Sequence, residues 1–315
     1  MTPNVAASVH QRLLNRAHAM GRPFNELLQY FVLERFLYRL GHSPHARDFV
    51  LKGALMFDVW QGPFARPTRD VDLAGHTENS VEHVVAIVQE ICQEPVAEDD
   101  GLLFQTESIH GERITEAAEY QGVRVQVMAR LGPARIPIQI DVGFGDPLVP
   151  GSTLVRLLAL LDFPPPELQG YSRESAIAEK FQAMVYLGEI NSRMKDFYDI
   201  WLLTMHGAFD GPILAQAIRA TFEHRQTALQ AAPVALTSAF AARSDKQAQW
   251  RAFILRLKGG GDRHPTGEEP PLLAEAVLAI AAFLSPVTSA LIAGQPFEQH
   301  WLAGGPWRPG RLAQP

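Results

Sequence analysis

The spacing of apolar residues along this chain changes from helical to alternating and back to helical. Between residues 20 and 41 large apolar side chains recur at intervals of three and four, which is one face of a helix. From 102 to 144 the period becomes two, with Val123 and Val125 alternating with Arg124 and Gln126. After a proline-rich connector at 163 to 171 the spacing is helical again. The pattern predicts a sheet between helical segments.

Two short strands are predicted before the alternating region. Residues 48 to 53, "DFVLKG", are an apolar strand that ends at Gly53, and residues 68 to 75, "TRDVDLAG", alternate. Residues 78 to 92 form a predicted helix. We therefore expect an α+β fold with two domains. Residues 1–165 hold N-terminal helices and the sheet, and residues 166–315 are helical, with a flexible loop near 258–271 and a short C-terminal tail.

Composition describes an ordinary globular chain. Its 315 residues are 47% hydrophobic and 20% charged, with a formal net charge of -6. No global basic field marks a nucleic-acid binder, although an acidic protein can still carry a local basic groove. The single cysteine, Cys92, has no intramolecular disulfide partner and indicates a reducing compartment.

One apolar run, residues 272 to 294, approaches the length of a membrane span. Glu275 and Pro286 interrupt it, which favours a buried pair of helices broken at the proline and no membrane association. The first twenty residues lack the continuous apolar core of a secretory signal. The predicted location is the cytoplasm.

Three aspartates lie on the polar sides of predicted strands. Asp70 and Asp72 share one face because successive side chains of a strand point to opposite sides. Asp141 follows the same rule on a later strand. Clustered carboxylates repel one another unless a cation lies between them, and Mg²⁺ is the natural occupant, as one ion or two. The alternative is a strand end with solvated aspartates.

The residues around this pair suit phosphate binding. Arg66 and Arg69 supply guanidinium groups, and Thr68 supplies a hydroxyl. Gly53, at the end of its strand, suits a turn whose backbone N–H groups approach a phosphate, although a glycine at a turn is often only a turn.

The helical half contributes a second charged cluster. Lys180 lies within an apolar stripe, where its ammonium group either binds a partner such as a triphosphate or snorkels to solvent. In "SRMKDFYDIWLL", Asp196 and Asp199 share a helix face. The alternative is a helix N-terminus with acids in its first turns and a local ion pair between Lys195 and Asp199.

The order of five segments resembles the AbiEii/AbiGii-type nucleotidyltransferase toxins of the DNA polymerase β-like superfamily. The segments are "LKGALMFDVW", "ARPTRDVDLAG", "IPIQIDVGFGD", "ESAIAEKFQAMV" and "SRMKDFYDIWLL", within residues 20 to 205. The resemblance implies a polymerase β-like core, a mixed sheet with flanking helices, followed by an all-helical domain.

The resemblance also implies residue roles. Asp70 and Asp72 would bind metal, with Asp141 as third carboxylate assisting deprotonation of the attacking hydroxyl. Lys180 would hold the nucleotide phosphates. The predicted catalytic set is Asp70, Asp72, Asp141, Lys180 and Asp196, and the predicted metal ligands are Asp70, Asp72 and Asp141. The predicted nucleotide-binding set is Gly53, Ala54, Arg66, Thr68, Arg69, Lys180, Lys195 and Asp199.

Two of these assignments depart from the pattern or have a rival. Ala54 stands where many relatives carry a serine, so it supplies no hydroxyl for a phosphate. Asp146 follows Asp141 closely and competes with it for the third position.

The implied activity is transfer of a nucleoside monophosphate from an NTP to an acceptor hydroxyl, with Mg²⁺ (or Mn²⁺) as cofactor. The implied acceptor is RNA, at the 3′ end of tRNA, and the implied partner is an antitoxin with a winged-helix DNA-binding domain. The alternatives are transfer to a small molecule or a protein hydroxyl, and a nucleotide-binding interaction protein without catalysis. An RNA acceptor predicts a basic groove, for which the candidates are Arg219, His224, Arg225, Arg243, Lys246, Arg251, Arg256 and Lys258.

Overall fold

The chain forms two compact units in a computed structural model that describes residues 4–61, 68–116, 120–257 and 269–310. The first unit comprises residues 1–145 and 153–171, and the second comprises residues 146–152 and 172–315. The domain boundary between residues 165 and 166 stays a prediction. In the structure, the strand Glu167–Gly170 pairs with Phe49–Lys52 and so belongs to the first unit.

The first unit is a seven-stranded mixed sheet with helices. Its helices are α1 (Val5–Met20), α2 (Phe24–His42), α3 (Leu55–Gln61) and α4 (Val81–Gln93), with a short 3-10 helix at Pro44–Arg47. Its strands are β1 (Phe49–Lys52), β2 (Asp70–Gly75), β3 (Leu102–Glu116), β4 (Tyr120–Leu131), β5 (Ala134–Phe144), β6 (Thr153–Arg156) and β7 (Glu167–Gly170). The strand order is β3-β4-β5-β2-β1-β7-β6, and the β2–β5 and β1–β7 pairs are parallel.

The helix α2 is the core helix of this unit, with most of its residues buried. Its charged residues are buried as a network. The Asp100 carboxylate accepts hydrogen bonds from Arg35 at 3.0 Å and from Arg39 at 2.8 and 3.1 Å. Glu34 accepts a 2.7 Å hydrogen bond from the backbone N–H of Leu160. Buried charges need such partners, because an unpaired ion in the interior is strongly destabilising.

The second unit is mainly helical. Its helices are α5 (Arg173–Leu187), α6 (Met194–His206), α7 (Gly211–His224), α8 (Ser238–Ala242), α9 (Ser244–Leu257) and α10 (Leu273–Ile292), with 3-10 turns at Gly188–Ile190 and Val234–Leu236. A small antiparallel sheet of β8 (Phe209–Asp210), β9 (Gln299–Trp301) and β10 (Trp307–Pro309) adds strands that the sequence pattern did not predict.

The long apolar run is one helix, α10, so the prediction of a helix pair broken at Pro286 is wrong. Proline removes the backbone N–H that would bond the carbonyl of Ala282, a loss that packing of the helix outweighs. The Thr288 hydroxyl donates to the carbonyl of Leu284 at 2.8 Å, and the Trp307 indole donates to that of Phe283 at 2.8 Å. In the described part of the chain, α10 is the one helix with the length and composition of a membrane span. One face of it is buried against α6, α7 and α8, as in a core helix.

The predicted fold class, a mixed sheet with flanking helices followed by a helical region, is confirmed. The predicted loop near 258–271 falls mostly on residues 258–268, which lie outside the described residues, as does the tail at 311–315.

Candidate active site

Parallel pairing of β2 with β5 sets three carboxylates side by side. The register places Asp72 opposite Asp141 and Asp70 opposite Gln139. Alternation along β2 buries Val71 and leaves both aspartates half-exposed on the other face. Asp70 and Asp72 therefore share one face of the sheet, as the alternation predicts.

These three aspartates, called here the carboxylate trio, are close enough to ligate one ion. One carboxylate oxygen from each of Asp70, Asp72 and Asp141 lies within 4.8 Å of the other two. Oxygen donors of this charge are the ligands that Mg²⁺ prefers, and partial exposure leaves room for water and phosphate ligands. The donor set and spacing of the carboxylate trio thus fit a magnesium ion.

Gly53 is required by the carboxylate trio itself. The residue has φ of +72°, a backbone conformation that L side chains rarely adopt. A Cβ atom built on it would lie 1.9 Å from Oδ2 of Asp72. The Asp72 carboxylate therefore packs over the bare Cα of Gly53. The predicted approach of this turn to a phosphate stays a prediction, as does a nucleotide role for the buried Ala54.

Thr68, which lies just before β2, contacts the carboxylate trio. The Thr68 hydroxyl donates a hydrogen bond to Asp70 Oδ1 and so helps to hold that carboxylate. Arg69 is exposed, and its carbonyl accepts a hydrogen bond from the Gln29 amide at 3.4 Å. Arg66 lies outside the described residues. The phosphate contacts predicted for these three residues remain predictions.

Arg124 is the residue of this site that the sequence reasoning missed. It lies on β4 opposite Asp141 and binds that carboxylate with two hydrogen bonds of 2.8 Å, from Nε to Oδ1 and from Nη2 to Oδ2. The Gln139 amide adds a bond of 3.1 Å to Oδ2. Hydrogen bonding to Asp141 raises the pKa of the Arg124 guanidinium, against a smaller opposing effect of burial. The alternation of Arg124 with valines was a usable signal, but the strand register was not visible in it.

In the second unit Lys180 lies between two buried acids. Its Nζ is 3.0 Å from Asp196 Oδ1 and 2.8 Å from Asp199 Oδ2. Arg193 Nε donates to Asp196 Oδ2 at 2.7 Å. From the sequence, the expected partner of Lys180 was a phosphate or solvent. Asp196 and Asp199 were not predicted as its partners. Packing of α5 against α6 brings them together.

The charge state of Asp196 follows from these partners. Burial acts to raise its pKa, but attraction from Lys180, Arg193 and Lys195, and the hydrogen bond from Lys180, outweigh burial and lower the pKa. Lys195 itself is exposed. The local pair of Lys195 with Asp199 is therefore not the arrangement found, because Lys180 approaches Asp199 from α5 instead.

The rival third carboxylate, Asp146, is held elsewhere. It belongs to the second unit, where Arg225 donates to its Oδ1 at 2.8 and 3.1 Å. Arg225 also donates to Gln182 at 3.0 Å. Asp141, by contrast, is part of the carboxylate trio.

The predicted basic surface is reduced by these contacts. Arg225 is bound to Asp146, and Lys246 is buried, donating to the carbonyl of Asn191 at 2.9 Å. Arg243 is exposed but binds Asp245. The exposed candidates among the described residues are Arg219, His224, Arg243, Arg251 and Arg256, and Lys258 lies outside the described residues.

Comparison with known proteins assigns the family. The family model "Nucleotidyl transferase AbiEii toxin, Type IV TA system" matches residues 35–277, which include both charged clusters. No curated protein matches significantly. Two solved structures resemble the chain. A candidate nucleotidyltransferase from H. pylori has 12% identity and a TM-score of 0.46, over 86% of this chain and 98% of that one. JHP933 from Helicobacter pylori has 11% identity and a TM-score of 0.47, over 87% and 97%.

The matched region covers most of the sequence. The chain is therefore a nucleotidyltransferase with an NTP substrate and an antitoxin partner, and it belongs to the AbiEii family of toxins of type IV toxin–antitoxin systems.

Proposed function

We propose that this protein transfers a nucleoside monophosphate from an NTP to the 3′-terminal hydroxyl of an RNA, in a reaction that requires Mg²⁺. The observation that carries the metal requirement is the carboxylate trio, whose ligand oxygens lie within 4.8 Å of one another on adjacent parallel strands. Like charges at that distance repel, and a bound cation would relieve the repulsion among the three carboxylates.

The protein's own residues prepare the site before any substrate arrives. Gly53 gives the Asp72 carboxylate its place, Thr68 orients Asp70, and Arg124 with Gln139 orients Asp141. Bound magnesium would supply charge neutralisation for the transferred phosphoryl group. We assign to Lys180, with Asp196 and Asp199 around it, the holding of nucleotide phosphates, and to Lys195 a contact with the same ligand.

The choice of RNA as the acceptor has separate support. Its support is the family and a set of exposed cationic side chains on the second unit, although Arg225 and Lys246 do not belong to that set. Cations that bind RNA phosphates make affinity fall with salt. We extend the proposal to the tRNA 3′ end as acceptor, to a winged-helix antitoxin as partner, and to the cytoplasm as location.

Labelled NTPs provide the test. The purified protein is incubated with each α-labelled NTP, total RNA and Mg²⁺, and the label is followed into RNA, protein and small molecules. We expect label in RNA, and a loss of at least about a hundredfold in Asp70→Asn, because a carboxamide cannot replace an anionic ligand. The matched control is Asp162→Asn, which removes an exposed carboxylate of the same unit.

The destination of the label separates the possible activities. Label in protein or in a small molecule would contradict the RNA acceptor but would still show nucleotidyl transfer. Undiminished incorporation by Asp70→Asn would contradict the metal role of the carboxylate trio.

A further inference from the structure

Arg124 places a positive charge directly against one of the carboxylates that would hold metal. The guanidinium binds both oxygens of Asp141 at 2.8 Å. Arg124 also feels the negative charge of Asp70 and that of Glu112, which lies opposite it on β3. Since the guanidinium is always charged, a cation entering the carboxylate trio meets this group at short range.

The hydrogen bonds limit how Asp141 can bind an ion. A carboxylate offers about four lone-pair positions on its two oxygens. Arg124 uses one on each oxygen, and Gln139 uses a second on Oδ2. Oδ1 then keeps one open position, so Asp141 is presented as a ligand through a single oxygen in a fixed orientation.

Arg124 also reduces the net negative charge of the site. Three carboxylates alone carry three negative charges, and the guanidinium of Arg124 offsets one of them. The side chains of Arg124 and Asp141 are 31% and 16% exposed, so water screens this pair only in part. A nucleotide brings further negative charge on its phosphates, which compensates for the guanidinium.

We propose that Arg124 is a positioning residue for Asp141 and also a competitor of the divalent cation, so that the carboxylate trio binds the cation weakly until a nucleotide is present. This inference rests on the metal-dependent activity proposed above. It assigns to Arg124 a role in coupling metal binding to nucleotide binding. The coupling is electrostatic and needs no movement of the strands.

Direct binding of Mn²⁺, read from the loss of its free-ion paramagnetic resonance signal, measures this effect without any turnover. In the absence of nucleotide, Arg124→Gln and Arg124→Met are expected to bind Mn²⁺ about tenfold more tightly than the unaltered protein, because each removes one adjacent positive charge. Arg124→Lys keeps the charge and loses the two-pronged contact, so its affinity should stay within about threefold of the original.

Two further variants locate the effect. Arg130→Gln removes the same charge from the same strand, six residues and about 20 Å further along, and should leave Mn²⁺ binding unchanged. Asp70→Asn should abolish binding and so assign the signal to the carboxylate trio. Adding a non-hydrolysable NTP analogue should reduce the difference between Arg124→Gln and the unaltered protein.

The possible results are distinct. Equal or weaker Mn²⁺ binding in both neutral variants, with melting temperatures near that of the unaltered protein, would overturn the competition and leave the proposed activity intact. Tighter binding in Arg124→Lys equal to that in Arg124→Gln would also overturn it, since charge would then not be the cause. No Mn²⁺ binding by the neutral variants would overturn this inference, whereas labelled-NTP incorporation without any divalent cation would overturn the metal requirement.

Discussion

Gly53→Ala is the substitution whose effect follows most directly from the geometry of the site. The backbone at this position has φ of +72°, and holding a residue with a side chain there costs about 1–2 kcal/mol. The added Cβ would also lie 1.9 Å from Oδ2 of Asp72, where real contacts are not shorter than 3.0 Å. The carboxylate must therefore move by at least 3.0 − 1.9 = 1.1 Å.

That displacement is large compared with what a metal site tolerates. Ligand distances in such sites hold to within about 0.2 Å, and a misplacement of about 1 Å can reduce a rate by about a hundredfold. Forcing Asp72 off its rotamer adds about 1 kcal/mol to the backbone strain. We expect Gly53→Ala to lower the free energy of unfolding by about 2–3 kcal/mol and nucleotide transfer by about a hundredfold or more.

The matched control is Gly21→Ala. Gly21 has φ of +63°, nearly the same backbone conformation, but a Cβ there meets nothing within 4 Å. Urea denaturation measures the stability of both variants, and Mn²⁺ binding and labelled-NTP incorporation measure the site. The control should lose about 1–2 kcal/mol and keep full binding and activity. If the two variants bound Mn²⁺ equally well, the contact between Gly53 and Asp72 would not be what holds the carboxylate in place.

Two further predictions concern buried charges. Lys180→Met leaves the carboxylates of Asp196 and Asp199 without the ammonium group at 3.0 and 2.8 Å, so thermal denaturation should show the second unit destabilised by about 3–5 kcal/mol, and an unchanged melting temperature would contradict the buried cluster. Burial raises the pKa of Glu34 to about 7, against the hydrogen bond from Leu160, which lowers it. The stability that Glu34 contributes is complete below its unfolded pKa of about 4.5 and is lost as pH rises through 7. In urea denaturation, the free energy of unfolding of Glu34→Gln should therefore rise by about 3 kcal/mol relative to that of the unaltered protein between pH 4.5 and pH 8. A difference that stays constant with pH would refute this.

Local sequence pattern accounts for the carboxylates but not for what surrounds them. The alternation of Asp70 and Asp72 with Val71 and Leu73 is a property of one strand, so it can be read from the sequence. The contact of Arg124 with Asp141 depends on the register between β4 and β5, which is set by their turn and by packing. A one-residue shift in that register would move Arg124 away from Asp141.

In the helical half, too, local pattern predicts the elements but not the contacts between them. Helix periodicity located Lys180 and the acids of α6 on their own helices, but the pairing arises from packing of α5 against α6. The predicted break at Pro286 was wrong for a related reason, because it considered the helix in isolation. Pro286 weakens an isolated helix, whereas packing of one face of α10 against other helices stabilises this one.

The pairing of β2 with β5 also determines when during synthesis the centre can form. Asp70 and Asp72 leave the ribosome early, whereas the strand that carries Asp141 follows only after α4, β3 and β4. Domains fold as the chain emerges from its N-terminal end, so a nascent or truncated chain that stops before β5 has two of the three carboxylates, and its β2 can pair only with β1. Such a fragment cannot assemble the carboxylate trio. The position of β5 in the chain therefore delays assembly of the carboxylate trio until most of the first unit has been translated.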